Sequence, residues 1–172
     1  GRGPRIIESI VSMPPCENPP MTNGRPPASA AAASRYRAST ARASGRSGGD
    51  CIDLDSGCLN AVLDHVSMEF STDENMSSFG SPPENLTLQY SLNAWGLESH
   101  SCGGLWDQNH ATSHHNLWAH NHTRNPKARP GGLLEWVNNV TYDWDIGFIM
   151  GDSQSNQDWK SNVINNYFIG PP

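Results

Sequence analysis

From Asp50 onward, short runs that are apolar, or that alternate apolar with polar residues, return at a nearly constant interval. AVLDHV, LTLQYSL, HHNLWAH, LEWVNNV and NVINNYF carry polar pairs at Asp64/His65, Tyr90/Ser91, His115/Asn116, Asn138/Asn139 and Asn165/Asn166, spaced by 26, 25, 23 and 27 residues. Alternation at period two places side chains on opposite faces of a strand. The intervening clusters of Gly, Pro, Ser and Asp read as turns. A unit of roughly 25 residues built from short strands, with no amphipathic helix, predicts one coil of a parallel β-helix, in which stacked repeats bury a shared core. About five such coils fit between Asp50 and the end of the sequence. Asparagines stacked at one turn position are expected to pair their amides along the stack and so satisfy groups that would otherwise be buried without partners. The rival is a β-sandwich, whose strands would alternate more strictly and lie closer together.

Residues 1–49 have a different pattern. A short apolar piece, Ile6 to Val11, is followed by Pro14, Pro15, Pro19, Pro20, Pro26 and Pro27 and then by an Ala/Ser/Arg tract from Ala28 to Ser47. Such a segment has too little apolar surface to offset the entropy of ordering. The expected organisation is therefore a low-complexity tail or linker over 1–49 and an all-β domain over 50–172. The alternative for the arginine tract is contact with acidic polysaccharide or phosphate.

Charge divides along the same boundary. Residues 1–50 carry seven Arg against three acids, a balance of +4, and residues 51–172 carry four basic against fourteen acidic groups, a balance of −10; together these give the net −6 of the 172-residue chain. An acidic body with a few localised arginines lacks the broad basic face of a nucleic-acid binder and suits a protein that binds cations. No apolar run is long enough to span a membrane. Cys16, Cys51, Cys58 and Cys102 are even in number, and Cys51 with Cys58 could close a short loop. Asn75, Asn85, Asn121 and Asn139 each open an N-x-S/T sequon, a weak pointer to a secreted glycoprotein.

Candidate chemistry concentrates between Ser113 and Pro130, SHHNLWAHNHTRNPKARP, which holds three of the eleven Lys and Arg residues and four of the seven His. Arg124, Pro126 and Arg129 form RxPxxR. In an extended chain Arg124 and Pro126 share a face, and the proline restrains Asn125 before it. Two guanidiniums close together call for an anion between them, and their planar donor forks suit carboxylate or phosphate. The bland alternative is a pair of solvated loop charges.

Three of these stretches, taken in order, resemble the pectate lyases of polysaccharide lyase family 1. AVLDHVSMEFSTDEN (Ala61 to Asn75) is similar to that family's segment with an Asp-His pair followed by Asp-Glu-Asn, HHNLWAHNHTRNPKAR (His114 to Arg129) to its HHN segment ending in RxPxxR, and LEWVNNVTYDW (Leu134 to Trp144) to the strand that follows. The resemblance covers about residues 50–170, and implies a right-handed parallel β-helix that cleaves pectate by β-elimination with calcium. It implies Arg124 as the proton-abstracting base, with Arg129 and Lys127 holding substrate carboxylate. An arginine is normally protonated, so neighbouring positive charge, calcium and alkaline conditions would all be needed to favour the neutral form. Asp50, Asp73 and Glu74 match the calcium acids, and Asp53, Asp55 and Glu69 are near enough to substitute. Hard cations take several carboxylate oxygens, and a cation on the uronate carboxylate would make the neighbouring C5 proton easier to remove. Asp64 and His65 match a family hallmark whose expected role is to bond across coils. One departure stands out: the coil before HHN often carries a substrate-binding lysine, where ESHSCGGLWDQ here offers Cys102 or Gly103.

Other classes were weighed against this expectation. His110, His114, His115, His120 and His122 are dense enough to suggest zinc or copper, but their spacing fails the usual zinc patterns. Hydrolysis would need a carboxylate pair drawn from Asp53, Asp55, Asp73 or Glu74. The non-enzymatic alternative is a β-helix that binds acidic glycans or serves as a structural module. The six tryptophans, about one per coil, are expected to cover the core rather than to stack on sugar.

Overall fold

The computed structural model describes residues 34–36, 41–42, 49–54, 60–78, 84–97, 100–107, 110–151, 157–158 and 160–172. Strands follow one another in triplets, and each member of a triplet joins a different sheet. β1 (Ser34–Tyr36), β2 (Ala41–Arg42) and β3 (Ile52–Asp53) are followed by β4 (Ala61–Asp64), β5 (Ser67–Glu69) and β6 (Glu74–Ser78). Next come β7 (Leu86–Gln89), β8 (Leu92–Ala94) and β9 (Cys102–Trp106), then β10 (His110–His114), β11 (Leu117–Ala119) and β12 (Lys127–Ala128). The last triplet is β13 (Leu133–Val137), β14 (Val140–Tyr142) and β15 (Ile149–Met150), followed by β16 (Lys160–Ile164) and β17 (Tyr167–Ile169).

Every pairing is parallel and joins a strand to its counterpart one triplet away, giving two six-stranded sheets and one five-stranded sheet. This is the parallel β-helix that the repeat predicts. After β3 it comprises four full triplets and the pair β16–β17. Of residues 1–49, β1 and β2 continue the first two sheets by pairing with β4 and β5. The rest of the expected low-complexity segment, except Gly49, lies outside the described residues, as do Asp55 and Cys58, so a loop closed between Cys51 and Cys58 lies outside them too.

Period-two alternation explains the core. Leu63, Leu88, Ser113 and Trp136 stand in register across β4, β7, β10 and β13, and all four are fully buried. Met68, Asn93, Trp118 and Thr141 form the matching inward column of the second sheet. Trp106, Trp118 and Trp136 meet at centre with ring separations of 5.9, 5.9 and 5.0 Å. Such aromatic pairs contribute about 0.5–1.5 kcal/mol each beyond the area they bury. Trp95, by contrast, lies outside, stacked between Phe70 and His120.

The polar pairs mark the corner between the first two sheets. His65, Tyr90, His115, Asn138 and Asn165 all take positive φ there, from 49° to 57°. The residue after each turns inward. Ser91, Asn116, Asn139 and Asn166 each present a side-chain oxygen to the backbone N–H of the preceding coil, accepting from Val66, Ser91, Asn116 and Asn139 at 2.8–3.0 Å. The expected amide ladder is present, with one change of frame. Tyr90/Ser91 aligns with His65/Val66 rather than with Asp64/His65, because Asp64 is still in strand register with Gln89. Asp64 bonds across coils through Gln89 Nε2 at 3.0 Å, and to His65 Nδ1 within its own coil at 2.6 Å.

A second asparagine cluster, Asn75, Asn93, Asn121 and Asn125, is buried near the start of the third sheet. Asn75 Nδ2 donates to Asn93 and Asn121, and Asn121 Nδ2 donates to Asn93 and Asn125, all at 3.0–3.1 Å. Of the four sequon asparagines, Asn75, Asn121 and Asn139 are thus buried with their amides committed, and Asn85 is exposed.

Candidate active site

Four consecutive rungs of the third sheet, β3, β6, β9 and β12, bring polar residues together where the chain enters each strand. Asp50 stands two residues before β3, Asp73 immediately before β6, Glu74 is the first residue of β6, His100 lies two before β9 and Arg124 three before β12. Parallel stacking makes neighbours of residues far apart in sequence. A cavity of about 270 Å³ results, lined by Asp50, Asp53, Asp73, Glu74, Ser77, His100, Leu105 and Arg124.

The Arg124 guanidinium forms an ion pair with Glu74 through Nη1 and lies 3.2 Å from His100 Nε2 through Nη2. Glu74 is 4% exposed. A carboxylate so far out of water is costly unless it is paired, and Arg124 supplies the partner. Asp50 Oδ1 accepts from the Glu74 backbone N–H at 3.0 Å, which ties the first two rungs together.

The backbone that carries Arg124 is a turn, not the extended run expected from RxPxxR. Arg124 has φ 56°, in the left-handed region. Asn125 holds this shape through both side chain and backbone: its Nδ2 donates to Asn121 O at 3.1 Å, and its backbone N–H donates to Gly147 O at 2.9 Å. Gly104 N donates to Arg124 O at 2.6 Å, drawing the turn down onto β9. A Cβ at Gly103 would lie 2.6 Å from both Arg124 O and Asn125 Oδ1, so only glycine allows this approach.

Asp50, Asp73 and Glu74 place one carboxylate oxygen each within 4.8 Å of one another. Burial pushes the Asp50 carboxyl up to about 6; a Ser77 hydrogen bond opposes the rise, and the charges of Asp73 and Asp53 add to it. Asp73 Oδ1 forms an ion pair with His100 Nδ1 at 2.5 Å. Three carboxylates converging this closely fit a hard divalent cation, which takes oxygen donors and offsets their mutual repulsion.

Of the sequence-expected site residues, Arg124, Asp50, Asp73 and Glu74 share this cavity. Asp53 lines it as well, whereas Glu69 lies on β5 outside the lining. Lys127 pairs along the sheet with Leu105, a lining residue, but does not itself line the cavity. Arg129 follows β12, donates its N–H to Trp106 O at 2.7 Å and is not among the lining residues. The five histidines weighed as a transition-metal group do not converge. His114 Nδ1 meets His115 Nδ1 at 2.9 Å, His120 pairs with Asp143 and His122 with Asp145. Burial and the neighbouring His115 push the His114 pKa down.

Sequence alone does not single out His100 or Ser77. Ser77 belongs to the strand that Glu74 opens, and His100 stands 24 residues from Arg124 in the coil below it. The only sequence signal for His100 was its place in HSC, next to the expected lysine position. Cys102 occupies that coil as a buried thiol, pushed up to about 12 chiefly by burial, then by the charges of Asp73 and Asp50.

No family profile matches the chain. Curated relatives named probable pectate lyase C do. That of Aspergillus terreus (strain NIH 2624 / FGSC A1156) is 42% identical over 131 residues, covering 74% of this chain and 30% of the relative. Those of Aspergillus flavus and Emericella nidulans are each 43% identical over 131 residues, covering 30% and 29% of the relative. The chain spans about 30% of the length of the curated relatives it matches. Over that span its sequence resembles pectate lyases.

Proposed function

We propose that this chain carries the catalytic coils of a calcium-dependent pectate lyase that cleaves polygalacturonate by β-elimination outside the cell. One observation carries the reading: Arg124 opens into the same cavity as Asp50, Asp73 and Glu74, a base candidate beside a cation-binding acid cluster. Calcium held by those acids would neutralise the uronate carboxylate and so acidify the adjacent C5–H.

Arg124, made neutral by loss of a proton to alkaline solvent, takes the C5 proton; the C5–H electron pair forms the C4=C5 double bond, the C4–O bond breaks, and the leaving sugar oxygen takes its proton from water. Glu74 has one carboxylate to share. If Glu74 were to hold a cation with Asp50 and Asp73, its ion pair with Arg124 would loosen and leave the Arg124 side chain free to face the substrate. Arg129 and Lys127 hold neighbouring uronate carboxylates at the far side of β12, where bidentate or point-charge donors suit them. His100, which contacts Arg124 in the coil where a lysine was expected, positions the guanidinium.

The test is incubation with polygalacturonate at alkaline pH, with calcium or with a chelator, following the ultraviolet absorbance of the unsaturated product. A calcium-dependent rise is expected, and Arg124→Ala should lower it by about 10²–10⁴-fold, the usual span of a general base. Calcium-dependent sugar binding without any rise, in protein with the circular dichroism of folded β-structure, would replace the lyase with a glycan-binding β-helix.

A further inference from the structure

Beside the acid cluster stands a second donor set that shares Asp73 with it. Asp73, His100 and Cys102 bring a carboxylate oxygen, a ring nitrogen and a thiol sulfur within 4.8 Å of one another. Asp73 leads into β6, while His100 and Cys102 flank Ser101 at the start of β9, the adjacent rung. This turn is held in place. Cys102 N donates to Asp73 O at 3.4 Å, and Ser101 Oγ donates to Gly96 O at 2.7 Å while accepting from His122 N at 3.2 Å. Cys102 is therefore fixed on β9, and Asp73 and His100 stand in the turns that lead into the two adjacent strands.

The existing contacts orient the set. His100 Nδ1 forms an ion pair with Asp73 Oδ1 at 2.5 Å, which holds the ring against the carboxylate it would share a metal with, and the His100 side chain is half exposed, which leaves a way in from solvent. Donor chemistry then selects the ion. Calcium takes six to eight oxygens, whereas sulfur, nitrogen and one carboxylate in a set of three, with room for a fourth ligand, suit zinc.

We propose that Asp73, His100 and Cys102 form a binding site for a divalent cation of the zinc class, and that filling it withdraws Asp73 from the acid cluster. The thiol proton of Cys102 leaves to solvent as the metal binds. The site stands without the lyase reading; its antagonism toward calcium rests on that reading, because Asp73 is the shared ligand. By linkage each ion lowers the affinity of the other by the same factor.

Cobalt chloride titrated into the chelator-treated full chain provides the test, since a thiolate ligand gives a sulfur-to-cobalt charge-transfer band. The band is expected in the unaltered protein, displaced by zinc chloride, and absent in Cys102→Ser. His100→Gln, at a half-exposed position, should weaken cobalt binding by at least about tenfold, since even outer partners of a metal carry that much. No band, or a band retained in Cys102→Ser, overturns the site. Calorimetry with calcium chloride separates the second half: zinc should lower calcium affinity in the unaltered protein and leave it unchanged in Cys102→Ser. Equal calcium affinity with and without zinc overturns the antagonism. An absence of calcium binding would count against the acid cluster alone, the cobalt band being read independently.

Discussion

Burial lifts the Asp50 carboxyl to about 6 from its ordinary 3.8, with Asp73 and Asp53 adding to the rise against a Ser77 hydrogen bond. The sign for the metal-free protein follows directly. The neutral carboxyl is the form that burial favours, so its stabilising contribution is present below 3.8 and is lost as pH rises through about 6. A cation needs the ionised form, so its affinity moves the other way. Below about pH 6, calcium affinity should fall by up to about tenfold per pH unit, as expected for one competing proton. Calorimetry across this range checks it, and Asp50→Asn should bind calcium more weakly with a flatter pH profile; an unchanged profile would remove Asp50 from the site. Arg124 gives a second residue-level prediction. Its guanidinium is held by Glu74, the same carboxylate a cation would claim. Calcium should therefore raise the rate at which phenylglyoxal modifies Arg124, followed by peptide mass mapping, and Glu74→Gln should show the fast rate without calcium. Protection of Arg124 by calcium would mean that the ion pair persists in the loaded site.

At the scale of elements, the site depends on how closely one turn can lie on one strand. Gly103 and Gly104 of β9 receive the Thr123–Arg124 backbone through hydrogen bonds of 2.9 and 2.6 Å. Gly103→Ala sets a methyl group 2.6 Å from Arg124 O, so the turn must lift. Such overpacking costs about 1–3 kcal/mol, whereas a displacement of about 1 Å at a catalytic group can cost about 10²-fold in rate. The protein should thus stay folded while its rate drops by about 10²-fold, measured by urea unfolding and lyase rate on the same sample; a rate loss no larger than the loss of folded protein would show that the whole coil had failed. The same contact explains what sequence could and could not disclose. RxPxxR is local, so Arg124 is legible from a few residues, and the asparagine ladder is legible because its members recur once per coil. His100 is not, because it meets Arg124 across 24 residues and belongs to no repeated pattern. The extended geometry expected for Arg124 failed for a related reason. Asn121 and Asn125 bond to each other and bend the segment, and their spacing alone carries no sign of it. The frame of the first polar pair slipped by one residue because Asp64 and His65 are both polar, and only strand register shows that Asp64 still belongs to β4.

Over the whole molecule, stacking buries each inward column until the last coil. Trp136 is fully buried and Thr141 is 1% exposed, yet their partners one coil on, Val163 and Phe168, are 47% and 40% exposed. β16 and β17 are also the outer strands of their sheets among the described residues. An apolar rim joined to open strand edges is the arrangement that invites a second chain to continue the sheet. The body's net charge of −10 over residues 51–172 opposes association at long range, but salt screens it beyond about 8 Å at physiological ionic strength. These 172 residues produced by themselves are therefore expected to associate as concentration and salt rise, seen as a growing sedimentation coefficient. Charges pointing inward at an edge are a known block to such pairing. Val163→Lys with Phe168→Lys should hold the protein monomeric and leave its β-sheet circular dichroism intact, because both side chains are already largely in solvent. A chain that sediments as a monomer throughout the micromolar range at high salt would show that this rim is closed to a second copy.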